Sequence, residues 1–340
     1  MPENIFNTKN VAVIGTGSWG TALAVLIARN NFTVNFWGRN TKHLDQLSHD
    51  RCNSQYLPGI DFPPSLNVIN TLEDCIKNVK DILLVVPSSG IRNTVNALKP
   101  FVNAKTHRIA LASKGLEQDS LQLLHEVVIE VLGNDFNVCV ISGPTFAKEV
   151  ANKLPTAITV ASNNNDFADQ FSGYLSNEYF RAYTSSDIIG VEIGGATKNV
   201  MAIAAGIADG LGFNANTRAA LITRALAEIS RLGIQLGGKQ ETFMGMAGLG
   251  DLILTCTDNQ SRNRRVGLGL AENKTIPQIQ VELGQVAEGI ATTEKIYLLA
   301  QKLNIEMPIV SEVYQVIYQH KKPADAVRDL LARHAGAEIA

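Results

Sequence analysis

The sequence predicts an α/β fold in which a doubly wound parallel sheet is followed by a second, all-helical domain. Three observations point there. An apolar run, Val11, Ala12, Val13 and Ile14, leads straight into GTGSWG (Gly15 to Gly20) and then into the helix-like TALAVLIARN. Short β-rich runs alternate with helical stretches through the first half. From about Asp187 the chain turns to long helical runs rich in Ala, Ile and Leu, with no convincing strand through to residue 333. Alternation of strand and helix is the pattern of a parallel sheet covered on both faces.

The first strand, turn and helix form a dinucleotide-binding fingerprint. Gly15 permits a sharp turn, Gly17 lets backbone approach a pyrophosphate, and Gly20 lets the helix pack on its strand with its N-terminal N–H groups toward phosphate. The same glycines alone also fit a structural turn, but a second strand (Val34, Phe36, Trp37) arrives where the first βαβ unit closes. NAD-selective sites place an acidic residue about 20 positions beyond the glycines, whereas an Arg accommodates a 2′-phosphate. This chain has Gly38 and Arg39 there. We therefore expect NADP(H), or either dinucleotide, with Arg39 pairing the phosphate or stacking on adenine. A solvated surface arginine is the alternative.

The next strands, 82–86, 108–112 and 138–141, end in Pro87-Ser88, Ser113-Lys114-Gly115 and Ser142-Gly143-Pro144. Ligands collect at the carboxyl ends of such strands. Two further runs, 156–162 and 179–183, flank a turn at Asn163 to Asp166 and finish or extend the sheet. The domains predicted are residues 1–187 and 188–340. No Pro/Ser-rich linker separates them, so they are expected to pack closely with the substrate site in the cleft between.

Composition narrows the function. With 340 residues, 45% hydrophobic and 18% charged, the chain can bury one large core or, better, two. A net charge of −2 without a basic or aromatic stripe gives no reason to expect nucleic acid. The N-terminal MPENIFNTKN lacks an apolar signal core, and the most apolar stretch, 191–212, carries Glu192, Lys198 and Asp209. We expect neither export nor a membrane span, and a cytoplasmic location. Cys52, Cys75, Cys139 and Cys256 are far apart and show no ligand-like spacing with the six histidines, so reduced thiols and no metal are expected.

Four segments carry candidate chemistry. In IGGATKNVMAIAAG, Lys198 follows Gly194 and Gly195 by four and three positions and precedes Met201 and Ala202. Small, apolar neighbours at helical spacing desolvate an amine and lower its pKa, which makes a proton donor; a stem that snorkels to water is the other reading. In GMAGLGDLILTC, Asp251 starts an apolar helical run with Thr255 one turn on. It is either an N-cap or a carboxylate that orients Lys198. SRNRR, Ser261 to Arg265, sets three arginines beside Asn263. Such donors suit a phosphate monoester, and a solvated basic loop is the bland alternative. The strand ends bring Lys114 and the backbone of Gly143 to Thr145 toward the cleft.

Taken in order, GTGSWG, SKGLE, SGPTFAKEV, GGATKNVMAIAAGIADGLG, GLGDLILTC, SRNRRVG and VAEG closely resemble the bacterial NAD(P)-dependent sn-glycerol-3-phosphate dehydrogenases. The resemblance spans roughly residues 11–333. It implies a Rossmann domain with an all-helical, 6-phosphogluconate-dehydrogenase-like C-terminal domain, and reversible hydride transfer between NAD(P)H and dihydroxyacetone phosphate, giving sn-glycerol 3-phosphate for phospholipid synthesis. It also implies that Lys198 is the acid/base, with Lys114 and Asp251 beside it. Lys114, Gly143, Thr145, Lys198, Asp251, Thr255, Ser261, Arg262 and Asn263 would contact substrate. Gly15, Gly17, Ser18, Trp19, Gly20, Arg39, Lys114, Ala147, Arg262, Val286 and Glu288 would line the dinucleotide. A related hydroxyacid or sugar-acid dehydrogenase and a non-catalytic NADPH sensor are the alternatives. A homodimer through the apolar helical domain is expected.

Overall fold

The structure, a computed structural model, describes residues 10–333. The strands are β1 (Asn10–Ile14), β2 (Thr33–Trp37), β3 (Cys52–Asn53), β4 (Leu57–Asp61), β5 (Leu66–Val68), β6 (Asp81–Leu84), β7 (Arg108–Leu111), β8 (Val138–Ser142), β9 (Thr156–Ser162) and β10 (Phe180–Ser185). Eight of them form one sheet in the order β10-β9-β8-β7-β6-β1-β2-β5, and β3 with β4 makes a separate small hairpin. The central strands β1, β6 and β7 are parallel and almost wholly buried, as apolar runs covered on both faces should be.

The parallel expectation needs one amendment, because β8 and β9 pair antiparallel. The link between them holds only the five-residue helix Ala147–Ala151, too short to carry the chain back along the sheet for a parallel return. Then β10 pairs parallel to β9, so both late strands do extend the sheet. The three-residue β5 offers no alternation to read, and it escapes detection from sequence.

Among the described residues apolar burial divides into three clusters rather than two. One lies on the face of the sheet covered by α1 (Ser18–Arg29), and a second lies on the opposite face under Ile91, Val95, Val127 and Val128. The third belongs to the helices after Ser185. Its axis is α2 (Ile188–Gly210), capped by Asp187, whose Oδ1 accepts from Gly190 N–H at 2.9 Å. This helix is long and apolar enough to cross a membrane, but 94% of its apolar window is buried inside the molecule. A helix apolar all round is the expected centre of an all-helical core.

Around α2 pack α3 (Ala215–Gln235), α4 (Asp251–Thr257), α5 (Arg262–Ala271), α6 (Glu288–Lys302) and α7 (Pro308–Tyr318), and α8 (Pro323–Ala332) packs on α7 and α5. The crossing of α2 with α5 is backbone on backbone. A Cβ on Gly267 would lie 2.1 Å from Ile203 O, and one on Gly206 would lie 2.0 Å from Arg264 O. That contact sets the spacing between Lys198 on α2 and the SRNRR motif at the start of α5.

The two halves are also sewn together by the chain after β7. Leu116 and Leu123 pair across a short antiparallel bridge, and both side chains are buried in the helical cluster although they come from the sheet half. Burying a leucine is worth about 2 kcal/mol, so the pair anchors this clasp, and with it Lys114, against the helices. The N-terminal segment MPENIFNTK, expected to lack a signal core, lies outside the described residues.

Candidate active site

At the carboxyl ends of β7 and β8 the structure brings Lys114, Gly143, Thr145, Lys198, Asp251 and Thr255 into one cluster. Lys198 Nζ donates to Asp251 Oδ1 at 2.5 Å and to Thr255 Oγ1 at 2.9 Å. Lys114 Nζ donates to the other oxygen, Asp251 Oδ2, at 2.7 Å and to Gly143 O at 3.3 Å, while Thr145 Oγ1 donates to Gly143 O at 3.2 Å. Asp251 is wholly buried and Lys198 nearly so. The snorkelling reading of Lys198 is therefore wrong: its ammonium is held inside by two acceptors.

The N-cap reading of Asp251 also fails. The chain enters α4 through a π-helical turn at Met246–Gly250, so Asp251 sits within a continuous helical path and its carboxylate is committed to the two lysines. Burial lowers the Lys198 pKa to about 8; the Asp251 charge opposes that fall and Lys114 adds to it. One carboxylate between two ammonium groups leaves the cluster with an excess of positive charge. Close packing explains the glycines ahead of Lys198, since a Cβ on Gly195 would stand 2.4 Å from Ser142 Oγ and 3.6 Å from Lys114 Cδ.

A second group is joined to the first through α2. Asn199, next to Lys198, accepts from Asn263 Nδ2 at 2.9 Å, and Asn263 Oδ1 accepts from Gly289 N–H at 2.9 Å. Ser261 caps α5 by accepting from Arg264 N–H at 3.2 Å. The three arginines of SRNRR separate by task. Arg264 is buried and pairs with Asp209 at 2.5 Å, Arg265 is exposed, and Arg262 stays at the cleft edge, where its Nη1 donates to Val286 O at 2.9 Å and to Gln285 Oε1 at 3.2 Å. Glu288 accepts from Ser88 N–H, just beyond β6, at 3.2 Å, and burial raises its pKa. Asn199 is the functional candidate missed from sequence; a polar Lys-Asn pair inside an apolar helix was the signal for it.

The third group is the glycine turn. Gly15 has φ +122°, which only glycine adopts freely, and a Cβ there would strike Val85 O at 2.3 Å. Nothing lies within 4 Å of a Cβ built on Gly17, whereas one on Gly20 would sit 1.9 Å from Gly15 O. Among the described residues no side chain caps α1, which leaves its first-turn N–H groups open to an anion. Ser18 Oγ donates to Tyr56 O at 2.6 Å, Trp19 Nε1 is buried with no partner among the described residues, and Arg39 is exposed beyond β2. Ala147 starts the short helix that packs on α1. Open N–H groups, an indole donor unpartnered among the described residues and an exposed cation fit a dinucleotide.

Two family models match the chain, the N-terminus of NAD-dependent glycerol-3-phosphate dehydrogenase over residues 10–168 and its C-terminus over residues 187–328. The chain belongs to the NAD-dependent glycerol-3-phosphate dehydrogenase family. A relative from Vibrio campbellii named glycerol-3-phosphate dehydrogenase [NAD(P)+] is 51% identical over 333 residues, covering 97% of this chain and 96% of its own. The crystal structure of a glycerol-3-phosphate dehydrogenase from Coxiella burnetii matches with TM-score 0.92 at 46% identity, over 95% of this chain and 99% of that one. A D-mandelate dehydrogenase structure, at TM-score 0.59 and 12% identity over 94% of this chain and 99% of its own, shares the fold alone. Nothing among these findings supports the hydroxyacid-dehydrogenase or sensor alternatives.

Proposed function

We propose that this glycerol-3-phosphate dehydrogenase family member reduces dihydroxyacetone phosphate to sn-glycerol 3-phosphate, reversibly and with NADPH or NADH, supplying glycerophospholipid synthesis in the cytoplasm. The observation that carries the reading is the buried Lys198 ammonium held between Asp251 and Thr255 at the mouth of a nucleotide-binding sheet. Its pKa of about 8 suits a donor that is charged at neutral pH yet gives up its proton readily.

In this reading the reduced nicotinamide, when bound, supplies the hydride. Lys198 Nζ gives its proton to the ketone oxygen and takes it back on oxidation. Asp251 holds Lys198 and Lys114 in place and sets the field in which negative charge on that oxygen is stabilised. Arg262 and Asn263, with Ser261, grip the phosphate away from the reacting carbon, and Gly143, Thr145 and Lys114 orient the rest of the substrate. Asn263 would have to share its amide between the phosphate and its present partners. Gly15, Gly17, Ser18, Trp19 and Gly20 would hold the dinucleotide, together with Arg39, Lys114, Ala147, Arg262, Val286 and Glu288. We place the boundary between nucleotide-binding and catalytic domains at residues 187 and 188.

The test is an initial-rate assay of NADPH and then NADH oxidation with dihydroxyacetone phosphate. We expect turnover that requires the phosphate and falls at least about 100-fold in Lys198→Ala, the low end of a general acid's contribution. Activity within a few-fold of the unaltered chain would remove Lys198 from the role.

We further propose a homodimer through the helical half. An apolar groove of about 470 Å³ runs between α3, α7 and α8, walled by Leu221, Val313 and Val316 with Leu331 68% exposed at its rim. Apolar surface of this kind is what a second copy would cover. Light scattering should return twice the mass of one chain, and the mass of a single chain at micromolar concentration would overturn it.

A further inference from the structure

One buried cation has no part in the site described above. Lys295, on α6, is 2% exposed and ranks among the largest fully buried side chains. Among the described residues it makes no ion pair, and its one hydrogen bond runs from Nζ to Leu116 O at 2.8 Å. A carbonyl can be satisfied by a neutral donor, so an ammonium buried for that purpose alone is a costly choice.

The position of Lys295 gives it a second use. Glu288, Thr292 and Lys295 follow at four and three residues and so share one face of α6. That face meets both loops at the carboxyl ends of the central strands. Glu288 accepts from Ser88 N–H after β6, Thr292 Oγ1 lies 3.6 Å from the Cβ position of Gly115 after β7, and Lys295 holds the next carbonyl, Leu116. Gly115 has φ +136°, so the chain turns sharply between Lys114 and Leu116. The two leucine side chains fix where the clasp docks. The hydrogen bond to the Leu116 carbonyl fixes the orientation of the Leu116–Glu117 peptide, at the far side of the Gly115 turn from Lys114.

We propose that Lys295 is a positioning residue for the reaction: by holding the Leu116 carbonyl it fixes the turn that delivers Lys114 to Asp251. The inference rests on the reading of Lys114 as a ligand-contacting cation. Lys295 touches neither Lys114 nor Asp251 and acts only through the backbone. Its charge also lies close enough to Glu288 to oppose the rise that burial gives that carboxyl's pKa, which ties the clasp and the nucleotide side of the cleft to the same helix.

The experiment compares Lys295→Met, which keeps the length without the donor, and Lys295→Arg, which can still donate to a carbonyl, with the unaltered full-length chain. Amide exchange of the 114–123 segment, KM for dihydroxyacetone phosphate and kcat are measured together. In Lys295→Met the segment should exchange faster while the sheet and α2 keep their protection. KM should rise about tenfold, with a smaller change in kcat, because a loosened turn misplaces a binding cation without removing the proton donor. Lys295→Arg should restore most of the lost affinity. Unchanged exchange and kinetics in Lys295→Met would overturn the proposal. Faster exchange with unchanged kinetics would overturn it too, and would place the fault in the role given to Lys114. If Lys295→Met does not fold, Lys295→Arg and Lys295→Gln decide: KM that follows the variant's ability to hold the turn supports the proposal, and KM indifferent to it does not.

Discussion

Asp251 is the residue on which the cluster turns, because its two oxygens serve two different lysines. The sequence shows Lys198 and Asp251 as separate motifs and leaves each with two readings. It cannot show that Lys114, 137 positions before Asp251, takes the second oxygen, since that pairing depends on how the sheet meets the helices. The protonation of Lys198 gives a direct expectation. Burial brings its pKa down to about 8, and reduction needs the charged form, so kcat for reduction should fall as pH rises through that value while the oxidation rate climbs. In Asp251→Asn the anion that props up the ammonium is gone, and the falling limb should move to lower pH. A reduction limb that stays where it was in Asp251→Asn would show that the limb reports another group.

Among the elements, the helical character of the second half was legible but its helices' bounds and contacts were not. The apolar run after Asp187 announces buried helices, whereas SRNRR reads as a basic cluster or loop and only the structure shows Ser261 capping a helix. What periodicity leaves open is which glycines mark a crossing. Gly206 and Gly267 are 61 residues apart and meet backbone to backbone. Replacing Gly267 by Ala puts a methyl group where Ile203 O and Ile207 N already stand, at 2.1 and 2.7 Å. The helices must part, and we expect a loss of about 3 kcal/mol in denaturant unfolding, with a raised KM for the phosphate because α5 carries Arg262 and Asn263 away from α2. A stability within 0.5 kcal/mol or so of the parent would mean that the crossing relaxes freely.

For the whole molecule, seven of the sheet's strands could be read from alternating β-rich runs, and the order of halves from the change of character near Asp187. The antiparallel entry of β9 could not be read. Strand direction depends on how far a connection can reach, and residues 143–155 look like any short strand-to-strand link. The same limit hid the clasp, because SKGLE reads as a ligand loop and nothing in it says that Leu116 will be buried among helices contributed by the other half of the chain. The clasp bears on how such an enzyme can be rebuilt. A chimera that joins the nucleotide-binding half of this chain to the helices of a distant relative would cut through a shared interior, so the 113–123 segment has to travel with the helices it plugs into and not with the strands that precede it.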